Sequence, residues 1–305
     1  MKPSLKTRLS ESGPEFSRIV AGVWKWGVWG WDLGTEKILE LIEHAVDVGI
    51  DTFDHADIYG NFGDEARFGA ALRMAPHLRD QIKLVTKCGI RMMSKNRPEN
   101  KIKSYDTSRD YIVKSVENSL RALNTDHLDL LLIHRPDPLM SPYELAKTFD
   151  QLKQYGKVLH FGVSNFTRTQ FDMLNSCFPL VTNQVQASPL HLEPFLDGTF
   201  DQCLKHDISP MIWSPFASGR LFKDAEPNTP ARRVQETGHQ LAEKYDVSVD
   251  QIYLAWLLMH PANLIPVLGT ARPERLKVAA NAVNLSLTRE EWFEIWQASI
   301  GKEVP

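Results

Sequence analysis

The stretch that decides the fold is Leu128-Asp129-Leu130-Leu131-Leu132-Ile133-His134. Near-continuous aliphatic runs of this length, too short for a typical helix, are characteristic of strands buried on both faces of a parallel sheet. The run stops at a histidine. We therefore predict a parallel strand that presents a polar side chain at its carboxyl end.

The same pattern repeats along the chain, where eight short apolar or β-branched runs alternate with longer segments of helical period. Eight strand–helix units with right-handed crossovers form either a closed barrel or a doubly wound sheet. Polar residues follow nearly every run, whereas a doubly wound sheet gathers them at one switch point, so the pattern favours the barrel. No G-x-G-x-x-G follows a strand, so a Rossmann nucleotide site is unsupported. The predicted strands lie at 18–21, 50–53, 82–86, 128–133, 158–163, 181–185, 210–213 and 264–268, and the predicted helices at about 36–48, 63–74, 108–123, 142–155, 167–176, 193–206, 231–245, 248–260, 273–282 and 288–299.

We therefore predict that residues 1–305 form a single (β/α)8 TIM barrel domain, since α/β barrels often reach this length. Residues 1–17, with a turn at Ser12-Gly13-Pro14, are predicted to form an N-terminal β-hairpin that covers the bottom of the barrel. Two long connections, 90–107 and 214–230, are predicted to be lids or binding loops at the active face.

The composition excludes several classes of function. The formal net charge of −3 and the pI near 6.4 argue against a nucleic-acid or acidic-membrane surface as the main partner. No apolar run approaches the ~20 residues of a membrane span, and the first residues lack the apolar core of a signal peptide. The 3 cysteines have no metal-ligand spacing. We expect a protein of the reducing cytoplasm.

An acid, a phenol, an amine and an imidazole each follow the apolar end of a predicted strand. In a barrel the carboxyl ends of all strands open onto one face, so residues that are far apart in sequence meet there. Each of these side chains alone is more often a surface, capping or packing group, but together they indicate one proton-transfer site. They are Asp54, Tyr59, Lys87 and His134.

Four motifs occur along the chain: Gly13-Pro14-Glu15-Phe16-Ser17-Arg18, His55-Ala56-Asp57-Ile58-Tyr59-Gly60, Asp126 to Asp137, and Phe161-Gly162-Val163-Ser164-Asn165-Phe166. In this order they resemble the aldo-keto reductase superfamily, and within it the bacterial YdhF-type oxidoreductases, over essentially the whole length. The resemblance implies an NADPH-dependent enzyme that reduces the carbonyl of an aldehyde or ketone. It also implies that Asp54, Tyr59, Lys87 and His134 are the catalytic tetrad.

Physical chemistry agrees with the implied roles. Carbonyl reduction needs a hydride at carbon and a proton at oxygen. Tyr59 would give the proton, and the Lys87 ammonium is expected to lower the tyrosine pKa from its usual value near ~10. Asp54 would keep the lysine charged and oriented, while His134 aligns the carbonyl oxygen.

The resemblance further implies a nicotinamide dinucleotide site. Hydroxyl and amide side chains suit a carboxamide because they both donate and accept hydrogen bonds, and an aromatic side chain stacks on the ring. The residues implied are Ser164, Asn165, Gln184 and Trp213, with Gly22 and Trp24 beside them; Ser214, Phe216, Gly219 and Leu221 for the loop over the pyrophosphate; and Gly269, Thr270, Arg272 and Arg275 for the adenosine 2′-phosphate segment. Gly269 stands where many members have lysine, and Val278-Ala279 where many have Glu-Asn. We therefore expect NADPH to bind more tightly than NADH, by a margin that this departure reduces.

The substrate pocket is expected to be apolar. Trp26, Trp29 and Trp31 are predicted to extend its wall, and few charged groups are expected at its mouth. Small aromatic or aliphatic aldehydes and dicarbonyls are therefore expected to be better substrates than charged sugars. His55 and Asp57 lack a third convergent ligand, so no metal site is predicted.

Two other classes of function remain open. A barrel lyase would use Lys87 as a Schiff-base nucleophile, although this leaves the nicotinamide-site residues without a purpose. A cofactor-binding sensor or partner subunit would keep the fold and turn over slowly. The resemblance implies a monomer whose partner is a small-molecule aldehyde or ketone.

Overall fold

The structure is a computed structural model that describes residues 5–305. Within those residues, eight parallel strands pair in chain order and the last pairs with the first, so the predicted barrel is confirmed. The strands are β1 (Lys6–Arg8), β2 (Glu15–Ser17), β3 (Val20–Gly22), β4 (Thr52–Asp54), β5 (Lys83–Cys88), β6 (Ile90–Arg91), β7 (Ser104–Tyr105), β8 (Leu128–Ile133), β9 (Val158–Ser164), β10 (Asn183–Gln186), β11 (Met211–Trp213) and β12 (Ile265–Leu268). All except β1, β2, β6 and β7 belong to the barrel.

Helices follow the barrel strands, as a (β/α)8 fold requires. They are α1 (Thr35–Asp47), α2 (Tyr59–Phe62, a single turn), α3 (Asp64–Met74), α4 (Arg109–Leu123), α5 (Pro142–Gln154), α6 (Arg168–Asn175), α7 (Glu193–Leu196), α8 (Thr199–Lys205), α9 (Pro230–Tyr245), α10 (Val249–Leu258), α11 (Pro273–Asn281) and α12 (Arg289–Ile300), with 3₁₀ helices at Pro76–Gln81, Ala217–Phe222 and Ala282–Asn284. None of the helices in the described part of the chain is long and apolar enough to span a membrane.

Strand β8 is buried on both faces, and this explains why its sequence is apolar at nearly every position. Leu130 and Leu132 pack in the cluster inside the barrel, whereas Leu131 and Ile133 pack in the layer between the strands and the helices. The one polar member, Asp129, is buried, and its carboxylate accepts hydrogen bonds from the Leu84 amide and the Arg79 guanidinium, both at 2.9 Å. Burial on both faces therefore accounts for the near-continuous run.

The N-terminal hairpin is present in its described part. Strands β1 and β2 pair antiparallel, and Leu9 and Phe16 are fully buried in the cluster inside the barrel. The Ser209 amide donates a 2.7 Å hydrogen bond to the Leu9 carbonyl, which ties the hairpin to the barrel. The predicted hairpin extends over residues 1–4, which lie outside the described residues.

Three helix ends differ in how their terminal backbone groups are capped. Gly49 has φ +85 two residues after the end of α1, and Thr288 forms a capping box with Glu291 at the start of α12. Ser108 precedes α4 but caps it with no side-chain hydrogen bond. Its hydroxyl donates to Asp106 at 2.6 Å.

Three local features differ from the predictions. The 90–107 connection contains the antiparallel pair β6–β7, which the sequence hides because two-residue strands have no period. The predicted helix at 193–206 is broken into α7 and α8, since Gly198 adopts φ +84 between them. The 214–230 connection begins with a 3₁₀ helix, inside which Ser218 has φ 56.

The register brings the polar strand ends to one face. Gly22 pairs with Asp54, and Ser164 pairs with Gln184. Trp213 is the last residue of β11, and His134 follows β8 directly. The carboxyl face of the barrel therefore carries the residues from which a site is built.

Candidate active site

The centre of the site is a buried ion pair that reaches a phenol. The Lys87 ammonium donates at 2.7 Å to Asp54 Oδ2, at 2.7 Å to the His55 carbonyl and at 3.2 Å to the Tyr59 hydroxyl. Lys87 is 1% exposed and Asp54 is 3% exposed. All three ammonium protons are thus engaged, which holds the amine against the tyrosine oxygen.

The electrostatics of this centre differ in one respect from the expectation. Burial lowers the pKa of Lys87, but Asp54 and the Tyr59 oxygen outweigh burial, so the lysine pKa is raised overall. Burial raises the pKa of Tyr59 above its ordinary value, and the nearby Lys87 charge offsets only part of that rise. The expected net lowering of the tyrosine pKa is therefore wrong for this structure. Tyr59 holds its proton at neutral pH, the form that a proton donor needs.

His134 lies across from the tyrosine. Its ring centroid is 6.1 Å from that of Tyr59, and its backbone amide donates at 2.9 Å to the Cys88 carbonyl. Burial, with the positive charges of Lys87 and Arg135, holds the His134 pKa well below its usual range. The imidazole is therefore neutral, with one ring nitrogen able to donate a hydrogen bond and the other able to accept one.

The backbone after Tyr59 is strained. Gly60, Asn61 and Phe62 have φ values of 56, 58 and 69, and a left-handed conformation costs a bulky residue of the order of 1–3 kcal/mol. The 90–107 loop holds this turn from outside, because the Asn96 side-chain amide donates at 2.8 Å to the Asn61 carbonyl. The Arg97 guanidinium lies 4.7 Å over the Phe62 ring.

Hydroxyl and amide groups connect the next strands into a network. The Asn165 side-chain nitrogen donates at 2.8 Å to the Ser164 hydroxyl, which in turn donates at 3.0 Å to the Gln184 carbonyl. The Trp213 indole donates at 2.9 Å to Asn165 Oδ1. Gln184 Nε2 donates at 3.1 Å to Asp54 Oδ1, so the network reaches the ion pair.

The loop after β11 folds back on itself. Ser214 has φ 58, and its hydroxyl accepts a 2.8 Å hydrogen bond from the Ser218 amide. A Cβ added at Gly219 would meet no atom within 4 Å, so open space lies beside that backbone. Leu221, in contrast, is 2% exposed and packs in the core, so its side chain does not face the site.

The segment after β12 carries two cations beside a helix N-terminus. Arg272 immediately precedes α11, and its amide donates at 3.2 Å to the Thr270 hydroxyl. The Arg272 guanidinium lies 5.5 Å over Trp31, and that of Arg275 lies 5.4 Å over Phe222. Two guanidinium groups near helix amides suit a phosphate.

One cavity of about 840 Å³ joins these parts. Of the predicted site residues, it brings together Asp54, Tyr59, His134, Gly22, Trp24, Ser164, Asn165, Gln184, Trp213, Ser214, Phe216, Gly219, Gly269, Thr270, Arg272 and Arg275. Lys87 lies beneath its floor rather than on its wall, and Leu221 is outside it. The polar donors at one end and the two arginines at the other fit the amide and the phosphates of a nicotinamide dinucleotide, and the volume suits a ligand of that class.

Two of the three tryptophans that were predicted to extend the wall of the substrate pocket line the cavity, and the third does not. Trp29 and Trp31 line the cavity, whereas Trp26 is buried at 2% exposure and donates from its indole at 2.8 Å to the Thr270 carbonyl. The prediction that Trp26 forms pocket wall is therefore wrong, because its ring packs against Phe53 and Phe68 in the core.

The expectation of few charged groups at the mouth is also wrong. Lys25, Lys103 and Arg135 all line the cavity. The sequence held a signal for two of them. Arg135 directly follows the predicted site residue His134, and Lys103 lies in the long 90–107 loop. Sequence reasoning also missed Tyr105 and Asp250 in the lining.

A group of buried titratable side chains lies behind the ion pair. Burial, with the Lys87 charge, lowers the pKa of His55 to about 3, and burial raises the pKa of Glu65 to about 7. Thr86 and Ser119 donate to the two Glu65 oxygens at 2.6 and 2.9 Å. Within residues 5–305, no three His, Cys, Asp or Glu side chains gather as metal ligands.

Comparisons with known proteins agree with this geometry. A model of the Aldo/keto reductase family matches residues 18–300. The chain is 46% identical to Oxidoreductase YdhF of Escherichia coli, covering 97% of this chain and 98% of that protein. It is 42% identical to 6-dehydroglucose reductase of Agrobacterium fabrum, covering 95% and 96%. Among solved structures, the thermostable aldo-keto reductase Tm1743 in complex with the inhibitor epalrestat is similar, with a TM-score of 0.81 and 26% identity over 97% of this chain and 100% of that one.

Proposed function

The chain belongs to the aldo/keto reductase family of oxidoreductases, and from this premise we propose that it reduces the carbonyl of aldehydes or ketones to alcohols with NADPH. The observation that carries the proposal is the contact of the buried Lys87 ammonium with both Asp54 and Tyr59, at 2.7 and 3.2 Å. A phenol beside a fixed cation, at the wall of a large cavity, is arranged to give up a proton.

The proposed proton step follows from these contacts. Bound NADPH would supply the hydride that reaches the carbonyl carbon. The Tyr59 hydroxyl gives its proton to the carbonyl oxygen, and the Lys87 ammonium stabilises the phenolate that remains. Asp54 holds the ammonium in place, so the lysine does not need to reorganise as charge develops.

His134 has a supporting part in the proposal. Because its pKa lies well below the usual range, the imidazole stays neutral and donates a hydrogen bond without adding a second positive charge beside Lys87. Together with Tyr59 it would fix the carbonyl oxygen in the cavity.

The cofactor is assigned by donor chemistry. Ser164, Asn165 and Gln184 would hold the carboxamide, and Trp213 would stack on the ring. Arg272 and Arg275, beside the N-terminus of α11, would hold the 2′-phosphate, which is absent from NADH. NADPH is therefore the proposed cofactor, with NADH as a weaker one.

A Schiff-base lyase is the less favoured function. A Schiff base forms from a neutral amine, whereas the raised pKa of Lys87 keeps this amine charged. Borohydride trapping with a carbonyl substrate tests the lyase directly. A sensor or partner subunit is tested by the turnover rate, since it would bind NADPH and consume it only slowly.

The substrate panel follows from the cavity and the relatives. Two relatives, 42% and 35% identical, are 6-dehydroglucose reductases, so a sugar aldehyde belongs in the panel beside aromatic aldehydes, aliphatic aldehydes and dicarbonyls. The test is loss of NADPH absorbance with identification of the alcohol. Alcohol formation supports the proposal, and NADPH binding with no turnover of any carbonyl contradicts it.

We further propose that residues 1–305 act as one domain in a cytoplasmic monomer. Composition and family resemblance support this, and analytical ultracentrifugation tests the oligomeric state.

A further inference from the structure

Two basic residues approach the catalytic end of the cavity from different loops. Lys103 precedes β7 in the 90–107 loop, and Arg135 follows His134 after β8. Both line the 840 Å³ cavity. Neither belongs to the segment that would hold the 2′-phosphate, where Arg272 and Arg275 lie.

Both cations act on the catalytic residues by their charge. Arg135 and Lys103 are among the groups that lower the pKa of His134, after burial and Lys87. Arg135 also lowers the pKa of Tyr59. The Arg135 guanidinium lies 6.0 Å over the ring of Trp213, the side chain proposed to stack on the nicotinamide.

The two cations have no acidic partner. Among residues 5–305, neither side chain forms a salt bridge, and neither donates a hydrogen bond. The nearest acids in sequence are engaged elsewhere, since Asp106 accepts from Ser108 and Asp137 accepts from Thr107. Arg135 is half-buried beside aromatic side chains of the cavity, where a charge is less well solvated than at an open surface, whereas Lys103 is exposed.

We propose that Arg135 and Lys103 form a subsite for an oxyanionic group of the substrate. The natural carbonyl compound then carries a carboxylate, or an oxyanion of similar charge, within reach of its aldehyde or ketone group. This inference rests on the proposed reductase function. Arg135 presents a planar fork suited to a carboxylate, and Lys103 adds a flexible point charge at the mouth.

The turnover test uses substrates that differ only in charge. 4-Carboxybenzaldehyde and methyl 4-formylbenzoate are compared in the wild-type protein and in Arg135→Met, Arg135→Lys, Lys103→Met and the control Lys101→Met. Lys101 lies in the same loop but does not line the cavity. Because charge-assisted hydrogen bonds are strong, Arg135→Met is expected to lower kcat/KM for the acid by roughly 10–100-fold more than for the ester. Arg135→Lys should keep part of this selectivity for the acid. Lys101→Met should leave kcat/KM unchanged for both substrates.

A binding measurement needs no turnover. Isothermal titration compares 4-(hydroxymethyl)benzoate with its methyl ester, and NADPH is titrated into every variant. Tighter binding of the acid that is lost in Arg135→Met supports the subsite. The subsite would be overturned if acid and ester bind equally, or if Arg135→Met lowers kcat/KM equally for both substrates. It would also be overturned if Arg135→Met weakens NADPH binding, because the cations would then serve the cofactor. Reduction of the ester with no charge selectivity defeats the subsite alone, whereas charge-selective binding with no reduction of any carbonyl defeats the reductase proposal alone.

Discussion

Gln184 donates a 3.1 Å hydrogen bond to Asp54 from 130 positions further along the chain. It reaches Oδ1, whereas Lys87 occupies Oδ2, so the two carboxylate oxygens have separate partners. Gln184 is 2% exposed and also lines the cavity. It is therefore placed both to orient the acid and to meet the proposed carboxamide.

The first prediction concerns this glutamine. Gln184→Leu should lower kcat about tenfold, because a hydrogen bond to a charged group is lost and Asp54 is freer to turn. Stopped-flow turnover measures the loss. In a double-mutant cycle with Asp54→Asn, the Gln184→Leu change should have little further effect on kcat. Additive losses in the cycle would mean that Gln184 acts on the cofactor alone.

The second prediction concerns the proton donor. Tyr59→Phe should lose ~10²–10⁴-fold in kcat, the usual contribution of general acid catalysis, because phenylalanine has no proton to give. NADPH affinity, measured by fluorescence titration, should stay within about threefold of the wild-type value, because Tyr59 lies outside the proposed phosphate segment. Tyr143→Phe is the matched control, since Tyr143 is 73% exposed on α5 and far from the cavity lining. Activity of Tyr59→Phe close to that of the wild type would remove Tyr59 from the mechanism.

The third prediction concerns cofactor choice. NADPH should bind more tightly than NADH by roughly one to two decades, or ~1.4–3 kcal/mol, because Arg272 and Arg275 have a 2′-phosphate to pair with only in NADPH. Arg275→Ala should remove most of that difference and leave NADH binding nearly unchanged. Lys277→Ala is the control, because this exposed lysine lies on the same helix outside the cavity lining. If the wild type binds NADPH and NADH equally tightly, the α11 segment does not recognise the 2′-phosphate.

The fourth prediction concerns stability and pH. Glu65 has a folded pKa of about 7, raised from 4.5 by burial, so between these values the folded state binds more protons than the unfolded state. Its stabilising contribution is therefore present below pH 4.5 and is lost as the pH rises through 7. The loss amounts to roughly 3 kcal/mol. Burial lowers the pKa of His55 to about 3, which makes stability rise over part of the same pH range, so the Glu65 loss is measured as a difference between two proteins. In urea unfolding, the free energy of unfolding should change less favourably from pH 5 to pH 8 in the wild type than in Glu65→Gln.

Glu43→Gln is the control for that experiment, since Glu43 is exposed on α1. A wild type and a Glu65→Gln variant with the same pH dependence would show that Glu65 titrates normally in the folded protein.

Much of the site was predictable because strand ends are encoded locally. The apolar runs mark where each barrel strand stops, and Asp54, His134 and Trp213 stand at or just after those points. Parallel strands then bring such residues together without any further information. The local sequence therefore predicts both the barrel and the position of these residues at one face of it.

Other features depend on tertiary contacts that no local pattern encodes. The path of the 90–107 loop decides that Lys103 enters the cavity, and packing against Phe53 and Phe68 decides that Trp26 does not. The raised pKa of Tyr59 is likewise a consequence of burial, which the spacing of Lys87 and Tyr59 in the sequence does not reveal.

The left-handed turn after Tyr59 limits how this enzyme can be re-engineered. Asn96 and Arg97 hold Asn61 and Phe62 in that turn, yet they belong to the loop that also carries Lys103 into the cavity. Grafting a foreign 90–107 loop to change specificity would therefore also release the backbone beside Tyr59, the proposed proton donor. In libraries of swapped loops, substrate selectivity and turnover should therefore change together. We expect them to change separately only when residues 60–62 are transferred together with the loop residues that contact them.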